Sequence, residues 1–535
     1  MPIRYRLLPF TPDNVVDRQS AQTLLQTVGE FGFTPLAELS LNQWHSVIRH
    51  ALAAGAQTIL LQDSVRDPDF IEEYEAFYSK QQKHITKLCK RLHFFSTPFP
   101  ASVLPSSDPQ TPVDTIAEIA DVLSILKFVD AAADCTTPSY IGFITLRPLR
   151  HAPVGASILV DLPSAPALCR DEFPVHIAGR SFLVNGTPYL QQDNAVGACA
   201  QASIWVALRT LRRRVGNSAF SPAELTVAAT KHYTLDRVFP GRQGLTTSQM
   251  LEAIRSAGHD PLIVALPGIK DANTANLAIQ FATPYLESGL PVIIGVDNID
   301  AGGGHAIVSI GYSPGAIGSP YPAHLTVHND NTGCYLKLPL QPLNPGEYAL
   351  SQSIALITPL PDGICMTAAE AERLATTMLS LGLGLLDSLP SVSQQKSAAE
   401  GLGTAPVFAL RLFLSSRHSF RRWATHSQYI DEPTQIRYRS FELPKFVWVA
   451  EIHDLSQFTR GEYTASSRLG ELVFDASADA LHGDSLIFMR LSGLMAGSNA
   501  PDDGLLLTEG VSNGSSRELI AIKAPRSTPQ IEPWS

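Results

Sequence analysis

Cysteine is scarce in this sequence and no long apolar run occurs. The six cysteines among 535 residues are scattered, with no Cys-x-x-Cys pair and no histidine cluster at metal-ligand spacing. A small secreted protein held together by disulfides is short and rich in cysteine, so that class is excluded. No stretch reaches the roughly 18 apolar residues of a membrane-spanning helix, and the first residues contain no apolar signal-peptide core. We therefore expect a reduced, cytoplasmic protein with no membrane partner.

Positive charge is also in deficit. The chain has 40 Lys and Arg residues against 50 Asp and Glu residues, which gives a net charge of −10. An acidic surface is repelled by phosphate backbones, so we expect no nucleic-acid partner. Hydrophobic residues make up 44% of the chain and charged residues 17%, which is the balance of a globular protein, and the length predicts several domains.

Changes in pattern divide the chain into four predicted units of α+β type. Residues 1–112 form an N-terminal α/β unit of unknown role, and residues 113–360 mix helices with strands. Residues 361–430 are predicted to be a helical segment interrupted by a Ser/Gln/Gly-rich break at 391–404. Residues 431–535 contain strand-like runs and are predicted to form a β-rich C-terminal domain.

Local patterns also predict individual elements. Residues 67–92 have acidic residues early and basic residues late, which predicts one long amphipathic helix. Residues 405–426 are predicted to be helical as well, and two capping boxes, Ser221 with Glu224 and Thr246 with Gln249, predict the starts of two further helices. Asn185-Gly186 lies between two apolar runs and predicts the tight turn of a β-hairpin.

Cys199 opens a predicted helix that ends before Gly216. A helix N-terminus places backbone N–H groups and the positive end of the dipole beside the sulfur, which lowers the pKa of a thiol and favours the nucleophilic thiolate. The N–H of Cys199 is free to donate to a developing oxyanion, and Gln192, seven residues upstream, can supply a second donor. The alternative is a buried structural cysteine.

His305 follows three glycines and begins an apolar strand, GGGHAIVSIGY. Paired with Cys199, it is a candidate general base. The next predicted strand ends at Asn329 and Asp330, and either side chain could accept a hydrogen bond from His305 and fix its tautomer, with Asp330 favoured. The same Asn-Asp-Asn-Thr-Gly string is also ordinary turn chemistry.

These blocks together resemble the papain-like cysteine peptidase superfamily, in the bacterial branch similar to the peptidase domains that cut double-glycine leaders. The resemblance rests on the order Gln, Cys, His and Asp or Asn, and on the segments 189–208, 244–261, 285–296, 302–312 and 324–335. It implies a papain-like fold within 113–360, in which a helical half begins at Cys199 and an antiparallel sheet carries His305 and Asp330.

The resemblance also implies roles for the candidate residues. Gln192 would line the oxyanion hole, Cys199 would attack, His305 would act as the base and Asp330 would orient it. The chain departs from the family in two ways, because the family's Gln usually stands six residues before the Cys, and because Ala200 follows the Cys where Gly or Trp is frequent.

A cysteine peptidase that hydrolyses a peptide or isopeptide bond of a protein or peptide substrate through a thioester is the function that this resemblance implies. It implies no metal and no organic cofactor. The same residues would suit a deamidase or a transglutaminase-type acyl transferase, and an inactive binding scaffold on the same fold is a further alternative. The flanking regions, 1–112 and 361–535, are expected to gate the site, recruit substrate or bind a regulatory partner.

Overall fold

The protein is described by a computed structural model in which helices and antiparallel sheets are mixed, in agreement with the α+β expectation. The described residues are 5–29, 38–79, 85–100, 122–136, 138–149, 151–192, 199–216, 220–232, 244–298, 303–319, 321–386, 408–426, 430, 432–459, 468–479, 485–491, 494–498 and 505–509. The predicted break at 391–404 and the chain after 509 lie outside them. None of the described helices combines the length and the apolar composition that a bilayer crossing requires.

Helices and strands follow one another along the whole chain. The helices are α1 Arg18–Gly29, α2 Glu38–Ala53, α3 Pro68–Glu73, α4 Val122–Ala133, α5 Cys199–Val215, α6 Pro222–Thr230, α7 Thr247–Ser256, α8 Ala272–Glu287, α9 Ala368–Leu386, α10 Arg417–His426 and α11 Glu432–Ser440. The strands are β1 Tyr5–Pro9, β2 Thr58–Val65, β3 Cys89–Phe95, β4 Tyr140–Leu146, β5 Ser157–Val160, β6 Asp171–Ile177, β7 Arg180–Tyr189, β8 Asp260–Ala265, β9 Val292–Asn298, β10 Gly303–Ser313, β11 His324–Asn329, β12 Gly333–Leu338, β13 Ser353–Leu360, β14 Phe408–Ser416, β15 Phe446–Asp454, β16 Arg468–Asp475, β17 Leu486–Leu491, β18 Leu494–Ser498 and β19 Leu505–Glu509.

The first sheet is antiparallel and has the strand order β1-β2-β3-β4-β5-β7-β6. Apolar side chains of α1 and α2 pack on one face of it, and those of α4 pack on the other. β3 pairs with β4, with Lys90 opposite Leu146 and His93 opposite Phe143. The predicted boundary at residue 112 therefore falls between strands of one sheet, and the N-terminal α/β unit shares this sheet with residues as far as Tyr189.

The long helix predicted for 67–92 is wrong in its second half. Helix α3 ends at Glu73, a π-helical turn follows at Tyr74–Tyr78, and Cys89–Phe95 is strand β3. Strand β3 pairs with β2 on one side and with β4 on the other, and this pairing makes the segment a strand. Long-range pairing of this kind overrides a local helical pattern.

The hairpin predicted to turn at Asn185-Gly186 is wrong, because both residues lie inside strand β7, and the hairpin of this segment turns earlier. β6 and β7 are joined at Ala178 and Gly179, whose φ angles of 47° and 85° are both positive, as a type I′ turn requires. Gly186 lies inside β7, where a Cβ would come within 2.1 Å of the carbonyl oxygen of Leu159. The glycine is needed for the close approach of β5 and not for a turn.

The second sheet is antiparallel, has the order β12-β11-β10-β9-β13-β8, and carries His305 near the start of β10 and Asn329 at the end of β11. Helix α5 packs its apolar face against β9 and β10. Gly216 follows the last residue of α5, and its φ of 77° is the left-handed conformation expected of a glycine after a helix. The predicted capping boxes of α6 and α7 are both present.

The third sheet is an antiparallel meander of β14 to β19. Its first strand occupies part of the segment predicted to be helical, because residues 408–416 are extended and only 417–426 form a helix. Strand β14 pairs along its length with β15 and places Phe408 opposite Asp454. The predicted boundary at 430/431 therefore falls inside the unit built on this sheet.

Candidate functional site

Cys199 and His305 are brought together where α5 meets the start of β10. The backbone N–H of Ala306 donates a hydrogen bond to Cys199 Sγ at 3.2 Å. One turn further along the helix, the hydroxyl of Ser203 donates to the carbonyl oxygen of Ala306 at 3.1 Å. Because Ala306 directly follows His305, these two bonds hold the sulfur beside the first residues of the histidine strand.

The imidazole of His305 is held by the end of the neighbouring strand. Its Nε2 lies 3.0 Å from Asn329 Oδ1, and the backbone N–H of Asn331 donates to the same oxygen at 2.9 Å. An amide oxygen only accepts, so Nε2 carries the ring proton and donates it. The other ring nitrogen, Nδ1, is then unprotonated and has the lone pair that a general base needs.

Asp330, which the sequence analysis favoured as the partner of His305, is more distant than Asn329. Its Oδ1 lies 3.4 Å from His305 Nε2, and its carboxyl group accepts no hydrogen bond from the described residues. Its backbone oxygen accepts from Gln43 Nε2 at 3.3 Å. Burial raises the pKa of Asp330 to about 8, so the carboxyl group is mostly protonated at neutral pH and is a poor counter-ion for an imidazolium.

Gln192 reaches the site through Asn331, a residue that the sequence analysis did not single out. Gln192 Nε2 donates to Asn331 Oδ1 at 3.2 Å, and Asn331 Nδ2 donates to His305 Nδ1 at a long 3.5 Å. Asn331 Nδ2 also donates to the hydroxyl of Tyr348 at 3.4 Å. The ring of Tyr348 stacks on His305 with 4.5 Å between centroids. Asn331 therefore links the candidate oxyanion donor to the candidate base.

The sequence gives little signal for these two additional residues. Asn331 is the third member of an Asn-Asp-Asn turn, in which turn chemistry treats all three positions alike. Tyr348 lies in an irregular segment that ends before β13, far along the chain from His305. Only the folded arrangement brings its ring onto the imidazole.

Burial favours the neutral forms of both candidate catalytic groups. It raises the pKa of Cys199 to about 12, and Asp330 acts in the same direction at a pH high enough to ionise it, while the backbone N–H groups of Ala306, Ala200 and Cys199 itself lower it. Burial lowers the pKa of His305 to about 4, against the hydrogen bond that Nε2–H donates to Asn329, which raises it. The lowered thiol pKa expected from the helix N-terminus is therefore wrong, because the loss of water outweighs the backbone N–H groups.

Some of the sequence predictions lie outside the described residues. The part of the segment 189–208 that covers residues 193–198, directly before Cys199, is one of them, and Gly302 of the glycine triplet is another. All six cysteines are free thiols; Cys199 is half-buried, whereas Cys135 and Cys365 are exposed. Among the described residues, no group of His, Cys, Asp or Glu side chains is arranged to hold a metal ion.

Comparisons with known proteins assign no family to this chain. No protein-family model matches it, and neither the curated proteins nor the solved structures include a significant match. Function is therefore inferred from the geometry around Cys199.

Proposed function

We propose that the chain is a cysteine peptidase of papain-like type, which hydrolyses a peptide or isopeptide bond of a protein or peptide substrate. One observation carries the proposal. Cys199 Sγ accepts a hydrogen bond from the N–H of Ala306, which directly follows His305, while Asn329 fixes His305 as the tautomer with a basic Nδ1. A nucleophile, a base and a group that orients the base are the three parts that this chemistry requires.

In the proposed acylation step, Cys199 Sγ attacks the substrate carbonyl carbon while its proton moves to His305 Nδ1. Both groups start neutral, so the thiolate forms only as the C–S bond forms. The carbonyl oxygen becomes an oxyanion that accepts from the backbone N–H of Cys199 and from Gln192 Nε2, which in the resting site donates to Asn331. Asn329 Oδ1 accepts from Nε2–H and stabilises the imidazolium.

The tetrahedral intermediate then collapses by breaking the C–N bond. His305 returns its proton from Nδ1 to the leaving amine, which departs and leaves a thioester on Cys199. A water molecule attacks this thioester while His305 accepts its proton, and the C–S bond breaks to release the carboxylic acid and restore the thiol. No metal or organic cofactor takes part in these steps.

Asn329, rather than Asp330, has the orienting role in this proposal. Its hydrogen bond to His305 is shorter, and its amide is itself fixed by the N–H of Asn331. Six free thiols suit a reducing compartment, so we propose the cytoplasm as the site of action. The first and third sheets extend well beyond the site, and we propose that they serve substrate recruitment or a regulatory partner.

Product analysis tests the proposal against its rivals. The wild-type chain and Cys199→Ala are each incubated with a mixture of defined proteins, and new chain ends are mapped by mass spectrometry. Cuts made by the wild type and absent from Cys199→Ala support a peptidase. Uncut chains with a gain of about 1 Da at Gln indicate a deamidase, and cross-linked products indicate an acyl transferase. Unchanged proteins in both samples would favour the binding scaffold.

A further inference from the structure

A cleft of about 750 Å³ runs along the outer strand of the second sheet, away from Cys199. Leu262, Ile263 and Val264 of β8 line one side, and residues of α8 and α9, including Phe281 and Arg373, line the others. Side chains of successive strand residues point to opposite faces of a sheet. Since three consecutive residues of β8 line the same space, the cleft reaches the backbone edge of the strand as well as its inner face.

The hydrogen-bond pattern shows which backbone groups of β8 face this edge. Leu266 N donates to the carbonyl oxygen of Ile354 at 2.9 Å, and hydrogen-bonded pairs alternate with non-bonded pairs along an antiparallel ladder. Leu262 and Val264 therefore bond to β13, whereas Ile263 and Ala265 turn their N–H and C=O groups away from it.

The pairing of prolines agrees with this assignment. Pro261 lies opposite Pro359, a pair in which neither residue has an N–H, so it must be a non-bonded pair. Ile263 and Ala265 fall at the same alternate positions as Pro261. Among the residues that the structure describes, no backbone partner is found for Ile263 or Ala265 other than β13.

The ends of this edge are blocked, whereas no described residue pairs with its centre. Pro261 and Pro267 flank the window and offer no N–H, and Asp260 adds a charge at the start of the strand. Prolines and charges are common protections of an edge strand against pairing. The residues between them lack such protection, and the side chain of Ile263 is 40% exposed.

We propose that this edge binds an extended segment of a partner polypeptide, which adds one short strand to the second sheet. Alternate residues of the segment exchange main-chain hydrogen bonds with Ile263 and Ala265. The partner residue opposite Val264 points to the inner face, where Leu262, Val264 and Phe281 form an apolar wall, so an apolar side chain fits there. The interaction is separate from the proposed catalysis at Cys199.

The shape of the cleft favours a slender chain over a second copy of this protein. Residues of α8 and α9 line the same cleft as the β8 edge, so a strand added at this edge lies beside these two helices. Two folded copies would each hold their own β8 beside these helices, and the two edges could not meet. A single extended segment needs only the spacing of neighbouring strands, which is about 5 Å.

Fluorescence anisotropy with the full chain tests this binding mode. The probe is a labelled, end-capped nonapeptide that alternates Val and Thr, and the variants are Ile263→Pro and its matched control Ile263→Thr. Proline removes the N–H of residue 263 that faces away from β13, and it removes no hydrogen bond to β13. Threonine keeps this N–H and the hydrogen bonds to β13. We expect saturable binding to the wild type and to Ile263→Thr, and at least about tenfold weaker binding to Ile263→Pro, as loss of main-chain hydrogen bonds predicts.

A second form of the probe keeps the test decisive if Ile263→Pro fails to fold. The same peptide N-methylated at alternate residues cannot donate along one edge, and it should bind the wild-type chain at least about tenfold more weakly than the unmodified peptide. Equal binding of the two peptides, equal binding to the proline and threonine variants, or no saturable binding would overturn the proposal. Self-association of the wild type that Ile263→Pro abolishes in sedimentation would show that the occupant is a second copy, and would overturn it as well. Cys199→Ala should bind the probe like the wild type, which separates this result from the proposed catalysis.

Discussion

At the scale of single residues, the partners of His305 determine what the imidazole can do. Asn329 holds the protonated Nε2, and among the described residues Asn331 Nδ2, at 3.5 Å, is the hydrogen-bond donor to the basic Nδ1. The sequence order and residue types were enough to select Cys199, His305 and Asn329. They could not rank Asn329 against Asp330, because the ranking depends on which of the two buried side chains has hydrogen-bond donors around it.

The orienting role of Asn329 leads to a comparison of two substitutions. Asn329→Ala removes the acceptor of Nε2–H and should lower kcat by about 100-fold, a loss of the size seen for positioned acid–base groups. Asp330→Asn replaces a mostly protonated acid with an amide of similar shape, so kcat should stay within about threefold of the wild type. Steady-state kinetics on any substrate cut by the wild type gives both values. A larger loss in Asp330→Asn than in Asn329→Ala would assign the role to Asp330.

The pH dependence of activity follows from the lowered pKa of His305. A base acts only when it is unprotonated, and burial lowers the pKa of His305 to about 4. Activity should therefore be retained as the pH falls through 6, and it should be lost only as the pH approaches the His305 pKa of about 4. A profile of kcat/KM against pH measures the acid limb. A midpoint at the ordinary histidine value of about 6.5 would contradict the buried, neutral imidazole.

Asn331→Asp provides an electrostatic test of the same site. The substitution replaces the amide group beside His305 Nδ1 with a carboxylate, which favours the imidazolium and raises the pKa of His305. The acid limb of kcat/KM should move to higher pH, whereas Asn331→Ala should leave it near the wild-type position. A profile of Asn331→Asp that overlays the wild type would show that Asn331 does not contact the base.

At the scale of helices and strands, the elements with local signals were predicted and those that depend on distant partners were not. The capping boxes of α6 and α7 need only residues three positions apart, and both are present. Strands β3 and β14 were assigned to helices, because their identity depends on pairing with β4 and β15. The Asn185-Gly186 pair misled the turn prediction, since Gly186 serves a contact with β5.

That contact can be tested with two glycine substitutions. In Gly186→Ala the new Cβ would meet backbone atoms of Leu159, which cannot move without shifting β5, so we expect the free energy of unfolding to fall by about 3 kcal/mol. At Gly295 the nearest atom to a new Cβ is 3.6 Å away, and Gly295→Ala should change the free energy of unfolding by less than about 1 kcal/mol. Denaturant titration of both variants measures the difference. Equal effects would show that β5 and β7 do not approach so closely.

At the scale of the whole molecule, buried charges join the second and third sheets. Arg411 of β14 donates to Glu287 of α8 at 3.0 Å and to Glu451 of β15 at 2.9 Å, and all three side chains are buried. Glu287 also accepts from Tyr312 of the histidine strand β10. This network crosses the predicted boundaries of the chain, and no local pattern pairs residues 124 positions apart such as Glu287 and Arg411.

Removal of the central cation should be costly. Arg411→Met takes a shared cation away from two buried carboxylates, of which Glu451 keeps Arg468 and Glu287 keeps Tyr312, and should lower the free energy of unfolding by about 3 kcal/mol. The exposed Lys337→Met is the matched control and should change it by less than about 1 kcal/mol. Chemical unfolding followed by tryptophan fluorescence gives both values. A small effect of Arg411→Met would show that water or other groups satisfy these carboxylates.

The same network predicts how stability depends on pH. Burial acts to raise the pKa of Glu451, but Arg468 and Arg411 outweigh it and hold the pKa well below its usual range. A depressed carboxyl pKa contributes stability that is fully present above the unfolded value of about 4.3 and is lost as the pH falls toward the folded value. Unfolding titrations between pH 7 and pH 3 should show this loss, and it should be smaller in Glu451→Gln. A stability that rises on acidification would contradict the assignment of Glu451 as a charged partner.

The most direct test of the central claim is the rate at which a peptidyl vinyl sulfone modifies each cysteine, followed by peptide mass spectrometry in the wild type and in His305→Ala. Simple exposure would favour Cys135 and Cys365, while a base at His305 favours the half-buried Cys199. We expect Cys199 to react at least about 100-fold faster than the two exposed thiols, and we expect His305→Ala to abolish this advantage. Modification of Cys135 and Cys365 ahead of Cys199, or a Cys199 rate unchanged by His305→Ala, would contradict a catalytic pair.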